Sequence, residues 1–446
     1  MREKEFLPIV RDVLGIPELN PMQKKMMEQS SQTRDIILLS PTGSGKTLAF
    51  ILPVLKMLKP ASGRVQVIVV APSRELVIQI SRVMNLVASG YKVTPLYGGH
   101  KVEDEVNSLS AGADMVVATP GRLLDQIRRR NIDVLPARIL VLDEFDKSLE
   151  LGFEEEMKKI VTRLKNVSRI ILTSATRSKE IPDFLELNNP VTLDYLADNE
   201  TLKERLRVYR VDSDSNDKLR TLLTLLHHLA AENDGYERSI VFVNHRESAE
   251  RIAGFLKRND VPCILYHGAL DQRAREMAVS MFNNGSRPVL IATDLASRGL
   301  DIENVKSVIH YHQPLTVEIY THRNGRTARV DNEGDVYVLV GPDEELKEYV
   351  KCDSTFKPGR KSFLGKGAHF ETIAFTAGKK EKLSKGDILG FFVKEAGASP
   401  ADIGRIDVYD HYSLAAVRAE KAKEIISETK NKKIKGEKRK LYIPGE

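Results

Sequence analysis

From about residue 35 to about residue 340, short β-branched runs alternate with longer stretches of helical periodicity, the pattern of parallel sheets covered by helices. Asp35-Ile36-Ile37-Leu38-Leu39, 65–70, Met115-Val116-Val117, 138–142 and Arg169-Ile170-Ile171-Leu172 read as one set of buried strands. Ser239-Ile240-Val241-Phe242-Val243, Ile264-Leu265-Tyr266, 288–291, Ser307-Val308-Ile309 and 335–340 read as a second set. Two sheets of similar size predict two α/β domains, 1–205 and 206–345, with the polar stretch 199–217 as the linker between their cores. Beyond the acidic stretch 341–348 the periodicity stops. Residues 346–369, rich in Lys, Gly and Ser, predict a flexible basic connector. A small αβ unit at 370–446 follows: a strand at Ile373-Ala374-Phe375, a helix from near Lys385, strands at Ile406-Asp407-Val408-Tyr409 and Leu414-Ala415-Ala416-Val417, and a helix over 419–429.

Composition narrows the class. The 446 residues are 41% apolar and 29% charged, which excludes a wholly disordered chain, and no apolar run is long enough to span a bilayer. The N-terminus lacks a signal-peptide profile, so the expectation is a cytoplasmic protein, a monomer with no membrane partner. Two cysteines, Cys263 and Cys352, are too few for a disulfide framework or a zinc site. A metal, if used, must take oxygen ligands. The net charge is +6 for the whole chain, yet residues 351–446 alone carry 21 basic and 13 acidic side chains, net +8, against −2 for the rest. The basic excess therefore lies in the last fifth of the chain and predicts an anion-binding module there.

The strongest local chemistry is Ser40-Pro41-Thr42-Gly43-Ser44-Gly45-Lys46-Thr47, between a buried strand and an apolar helix. Glycines and small residues let consecutive backbone N–H groups converge on phosphate oxygens, Lys46 reaches the β and γ phosphates, and Thr47 offers a hydroxyl to Mg²⁺. Ser40 stands where the usual phosphate-loop pattern has its first glycine. A glycine-rich turn capping a helix explains the glycines but not the adjacent Lys-Thr. Val141-Leu142-Asp143-Glu144 is an apolar strand ending in two carboxylates, suited to holding the metal (Asp143) and activating water (Glu144) in an ATPase.

Together and in this order, these motifs resemble those of the DEAD-box RNA helicases over about residues 6 to 340. Asn20-Pro21-Met22-Gln23 matches the family's adenine-reading motif, and Phe6 lies where the family has an adenine-stacking aromatic. The resemblance implies RNA-backbone contacts from Arg74, Gly99, Thr119 and Arg122 in the first domain and from Arg246, Arg275 and Thr293 in the second. It implies coupling of hydrolysis to unwinding through Asp146, Ser174, Thr176 and His322, and a nucleotide contact from Asp301. Arg326 and Arg329, in 322–329, are placed as arginine fingers. Against the family pattern, Phe145 replaces a small residue, Leu19 a proline, Ser73 a threonine, Asn324 an isoleucine and Ala328 a glycine.

Residues 371 to about 443 resemble the C-terminal RNA-binding domain of the DbpA type of bacterial DEAD-box helicase, which has an RRM-like fold. The RRM's paired stacking aromatics are absent from Leu414-Ala415-Ala416-Val417, so contact through basic loops and tail is expected, from Lys379, Lys380, Lys382, Lys432, Lys433 and Lys435. The expected architecture is α/β: two RecA-like parallel-sheet domains followed by a small RRM-like α+β domain. The implied activity is ATP- and Mg²⁺-dependent unwinding of structured RNA. The DbpA resemblance implies ribosomal RNA and pre-ribosomal particles in large-subunit assembly. Competing readings are an RNA clamp or scaffold of broad RNA choice, acting in mRNA turnover or cold adaptation, a scaffold with a degenerate ATPase, and a DNA translocase.

Overall fold

The computed structural model describes residues 3–32, 35–41, 43–99, 102–177, 181–196, 206–294, 302, 305–327, 333–359 and 367–444. The chain forms two compact units, Met1–Lys203 and Glu204–Glu446.

In the first unit the strands β1 (Ile36–Leu39), β2 (Val67–Val70), β3 (Val93–Leu96), β4 (Met115–Ala118), β5 (Ile139–Leu142), β6 (Arg169–Ser174) and β7 (Val191–Asp194) form one parallel sheet in the order β3-β4-β2-β5-β6-β1-β7. The helices are α1 (Glu3–Leu14), α2 (Pro21–Gln29), α3 (Lys46–Met57), α4 (Arg74–Val87), α5 (Val102–Ser110), α6 (Pro120–Arg128), α7 (Phe145–Glu150) and α8 (Glu154–Val161). Strand side chains alternate between two cores: Val67, Val69, Ile139 and Val141 join one cluster, Ile68, Val70, Leu140 and Leu142 the other. Central strands are thus apolar at every position because helices cover both faces.

The second unit begins with β8 (Leu206–Asp212), inside the stretch expected to be a linker. It continues through α9 (Leu219–Glu232), β9 (Ser239–Phe242), α10 (Arg246–Arg258), β10 (Cys263–Tyr266), α11 (Gln272–Asn283), β11 (Val289–Ala292), β12 (Ser307–His310), α12 (Val317–Asn324), β13 (Gly334–Val340) and β14 (Ser354–Thr355). Its sheet order is β10-β11-β9-β12-β13-β8-β14, parallel throughout. The first part of the expected connector is therefore bound to this sheet. The ring of Phe356 packs against Tyr209, Tyr337 and His228, and its N–H donates to the carbonyl of Arg210 at 2.8 Å.

The same unit ends in a four-stranded antiparallel sheet of order β16-β17-β15-β20, built from β15 (Phe370–Phe375), α13 (Lys385–Glu395), β16 (Ile403–Val408), β17 (Ser413–Arg418), α14 (Ala422–Thr429) and β20 (Leu441–Tyr442). A two-stranded hairpin, β18 (Lys433–Ile434) with β19 (Glu437–Lys438), precedes the last strand. Ile373, Phe375, Ala415 and Val417 face α13 and α14 in a shared core. No helix among the described residues is long and apolar enough to cross a membrane.

Candidate functional site

The candidate residues of the first unit gather at the C-terminal ends of its parallel strands. Past β1 the chain turns through Gly43 and Gly45, whose φ angles of +82° and +89° are left-handed values that favour glycine, and enters α3. A β carbon at Gly45 would fall 2.7 Å from Nε2 of Gln23. Gln23 is held in a capping box with Asn20, its own N–H donating to Asn20 Oδ1 (2.8 Å) while its Oε1 accepts from the Asn20 N–H (3.0 Å). Its Nε2 donates to the carbonyl of Gly45 at 3.4 Å, and Asn20 Nδ2 donates to that of Ser44 at 3.0 Å. The residue expected to read adenine is thus braced against the phosphate loop.

Ser40, in the position of a glycine, donates its hydroxyl to Ser44 Oγ at 2.6 Å, and Ser44 donates onward to the carbonyl of Pro41 at 2.8 Å. The buried ammonium of Lys46 donates to the Ser40 carbonyl at 2.6 Å. Thr47 follows in the first turn of α3, half-buried. Phe6 lies fully buried in the core with Met22 and Met26. Thr42 lies outside the described residues.

Asp143 follows β5 and is buried, which pushes its carboxyl pKa up; the Thr173 hydroxyl and the charge of Lys46 oppose the rise. Thr173 Oγ1 donates to Asp143 Oδ1 at 2.6 Å and accepts from the Glu144 N–H at 3.2 Å. Glu144 adopts φ +45° and ψ +51°, a left-handed pair uncommon for a side-chain-bearing residue, and caps α7. Asp146 accepts from Thr176 Oγ1 at 2.7 Å, while Ser174 Oγ receives the Thr176 N–H at 3.0 Å and donates to the Thr176 carbonyl at 2.6 Å. Phe145 turns into the core beneath, so its bulk leaves the Asp146 to Thr176 bond intact. Sequence reasoning passed over Thr173 and the bracing role of Asn20. The signals were their neighbours, Ser174 at the same strand end and Gln23 at capping-box spacing.

Arg74 opens α4 and Gly99 follows β3. They are close neighbours, since a β carbon at Gly99 would lie 2.5 Å from Arg74 Nη1. Thr119 caps α6, and Arg122 donates from Nε to Glu105 Oε2 at 2.7 Å. Glu105, almost fully buried, also accepts from Gln126 at 2.5 Å and from the Tyr97 N–H at 3.0 Å. It orients Arg122 and was invisible as one of three consecutive acids, Glu103, Asp104 and Glu105, on a polar helix.

In the second unit Arg246 lies exposed at the start of α10, 3.4 Å from Glu250. Arg275 is buried and donates to the carbonyls of Leu270 (3.1 Å) and Gly268 (2.5 Å). Thr293 follows β11, its N–H on the Tyr266 carbonyl at 3.3 Å. His322, Arg323 and Arg326 are buried around the end of α12. The guanidinium of Arg323 is shared among Asp294 Oδ1 (2.6 Å), the His312 carbonyl (2.8 Å) and Asn244 Oδ1 (2.8 Å), above the ring of Phe242. Asn324 accepts from His310 Nε2 at 2.8 Å, which gives the asparagine a partner in the core. Burial, with the charge of Arg323 beside it, pushes the His310 pKa down to about 3. Asp301 and Arg329 lie outside the described residues.

In the third sheet's neighbourhood Lys379, Lys380 and Lys382 are exposed on one turn. Lys432 pairs with Glu395 (3.2 Å) and Lys435 with Asp387 (2.9 Å), while Lys433 is exposed on β18. The cationic rim is partly neutralised by its own domain.

Three family descriptions match the chain: DEAD/DEAH box helicase over residues 20–184, helicase conserved C-terminal domain over 217–331, and DbpA RNA binding domain over 372–442. Among curated proteins it is 33% identical over 341 residues to the DEAD-box ATP-dependent RNA helicase RhpA of Helicobacter pylori, covering 76% of this chain and 68% of that protein. It is 37% identical over 329 residues to the ATP-dependent RNA helicase DBP3 of Candida albicans, covering 72% of this chain and 58% of that protein. The chain spans little more than half the length of several relatives it matches, 55% in an Arabidopsis thaliana mitochondrial DEAD-box helicase and 52% in one from rice. Among solved structures, Mss116p bound to single-stranded RNA and AMP-PNP aligns at TM-score 0.71 with 26% identity, over 80% of this chain and 78% of that one. Dbp5 of S. cerevisiae bound to RNA and ADP BeF3 aligns at 0.66 with 26% identity, over 76% and 88%.

Proposed function

Because the chain belongs to the DEAD-box helicase family, with a DbpA-type RNA-binding domain as its last module, we propose that it is an RNA-stimulated ATPase that locally unwinds structured RNA. The observation that carries this reading is the shelf at the end of β5, where Asp143 and Glu144 are oriented by one hydroxyl, that of Thr173, in the unit that also holds the Lys46 loop.

The residues present fit ATP and Mg²⁺. Gly43 and Gly45 hold the left-handed φ angles that turn the loop before α3, and Asp143 is a buried carboxyl whose charged form a neighbouring cation would favour. Thr47 and Asp143 are the residues that would hold the metal, which when bound offsets the charge on the β and γ phosphates. Lys46 adds a fixed positive charge, Gln23 presents both a donor and an acceptor to the adenine edge, and Glu144 takes the proton of the attacking water. Arg326 supplies charge to the transferring phosphoryl group, with Arg329 as the second finger. Arg74, Gly99, Thr119 and Arg122, with Arg246, Arg275 and Thr293, bind the RNA backbone. Asp146, Ser174, Thr176 and His322 link that binding to hydrolysis.

The RNA target we assign is large-subunit ribosomal RNA within pre-ribosomal particles, with the protein acting as a cytoplasmic monomer. The last module's match and its share of the basic excess support this. Replacing Glu144 by Gln should nearly abolish RNA-stimulated phosphate release while leaving ATP and RNA binding intact, because only the proton acceptor is lost. Phosphate release at the wild-type rate in that variant removes the role assigned to Glu144, and unwinding of DNA as readily as RNA removes the substrate class.

A further inference from the structure

Helix α11 has two faces with different business. Its first turn carries Gln272 and Arg275, the latter locked to two backbone carbonyls. Its other face meets the outer side of the third domain's sheet. There the Tyr412 hydroxyl donates to Glu276 Oε2 at 2.7 Å, and the Ser280 hydroxyl donates to Asp407 Oδ2 at 2.7 Å. Just past the helix end Asn284 Nδ2 donates to Thr372 Oγ1 at 3.0 Å.

The contact covers the centre of the sheet's outer face. Thr372, Leu414 and Ala416 are fully buried on the side opposite the helices α13 and α14, and Met277 of α11 packs against the Ala374, Tyr412 and Leu414 cluster. Tyr409 stacks on Tyr412 with centroids 4.6 Å apart, and the guanidinium of Arg273 lies 4.8 Å above the Tyr412 ring. Base stacking on an RRM-like sheet needs aromatic rings open to solvent on this face. Here the rings are spent on the neighbouring domain. The hydroxyls of Tyr412 and Ser280 and the amide of Asn284 find their acceptors across the contact, as a matched interface requires.

We propose that this contact is a fixed mount. Glu276, Ser280 and Asn284 are positioning residues that hold the third domain, and with it any RNA bound on its cationic rim, at constant geometry to the first turn of the same helix. The proposal rests on the helicase reading above for its functional consequence, but the mount itself can be measured without activity.

In the full-length chain, spin labels at Asn259→Cys and Lys430→Cys, with Cys352→Ser, should give one narrow distance distribution, unchanged by poly(U), by a hairpin-bearing fragment of large-subunit ribosomal RNA or by a non-hydrolysable ATP analogue. Ser280→Asp sets a carboxylate against Asp407 and should broaden that distribution; adding Asp407→Ser restores the acid–hydroxyl pair and should narrow it again. Ser280→Asp should leave poly(U)-stimulated ATPase and affinity for the ribosomal fragment unchanged. It should slow unwinding of a duplex flanking the hairpin by roughly 10- to 100-fold, the range expected of a misplacement of order 1 Å. Tyr412→Phe, which removes a single hydroxyl, should act in the same direction and serves if Ser280→Asp does not fold. A broad distribution in the unmutated chain, a distribution that opens on RNA, or a displaced domain with undiminished flanking unwinding each overturns the mount. Absence of ATPase with every RNA in the unmutated chain instead overturns the helicase reading and leaves the distance result standing.

Discussion

Single residues carry the tightest constraints, and Gly45 is the clearest. Its left-handed φ and the Gln23 amide 2.7 Å from its missing β carbon oppose a side chain independently. Gly45→Ala should weaken ATP binding by roughly tenfold, about 1.4 kcal/mol, in a titration with a fluorescent ATP analogue. The melting temperature should fall as well, because the left-handed strain burdens the folded chain with or without nucleotide. His310 makes a second prediction, of opposite kind. Its neutral ring donates to Asn324 and stands 3.5 Å from the Arg323 guanidinium, so protonation sets two cations together inside the core. The folded pKa, about 3, lies below the ordinary 6.5, so the stabilising neutral form is complete above pH 6.5 and its contribution falls away as the pH drops towards 3. The unfolded chain takes up the proton first, at up to about 1.4 kcal/mol per pH unit. Urea unfolding at pH 7 and pH 5 should show a smaller loss in His310→Asn than in the unmutated chain, by about 1–2 kcal/mol.

At the scale of elements, buried strands were legible because parallel strands covered on both faces are apolar at every position, as in β2, β5 and β9. The strands that escaped were edge or polar-faced. β3 contains Pro95, β7 sits at the sheet edge, and β8 carries Arg207 and Arg210, whose charges are matched by Asp335 and Asp212 rather than hidden. β14, two exposed residues long, has no apolar signal at all. The phosphate loop and the Asp143–Glu144 pair were legible because their chemistry is local. Glu105 and Thr173 were not, because their value lies in a partner distant along the chain. β17 was half-legible: its unbroken Leu414-Ala415-Ala416-Val417 run is that of a strand covered on both sides, although nothing in the sequence says what covers the second. β14 supports a direct test. A chain ending at residue 350 loses the two-residue strand, the Asp353 carboxylate that accepts the Val208 N–H at 2.7 Å and the Phe356 ring, whereas one ending at 359 keeps them. The shorter chain should be less stable by roughly 2 kcal/mol, from half-burial of one ring and lost ladder bonds, as read by urea midpoints.

For the whole molecule, charge and architecture point the same way: the module that resembles a DbpA RNA binding domain carries the basic excess. Ending the chain at 359 should flatten the salt dependence of binding to ribosomal RNA, each lost phosphate contact lowering the log–log slope by roughly 0.7 to 0.9. Filter binding between 50 and 200 mM salt, concentrations over which such contacts are strongly attenuated, reads this directly; an unchanged slope assigns the RNA contacts to the two α/β domains. The pairing of Ser280 with Asp407 and of Glu276 with Tyr412 has a further consequence, for exchange of modules between proteins. A foreign RNA-binding domain spliced on after residue 359 inherits a tether but not a seat, since half of each pair stays behind on α11. Such a chimera should recognise the donor's RNA while unwinding it poorly. Recovery then calls for transplanting the docking side chains of both partners, so the heritable unit of specificity is a domain together with one face of its neighbour's helix.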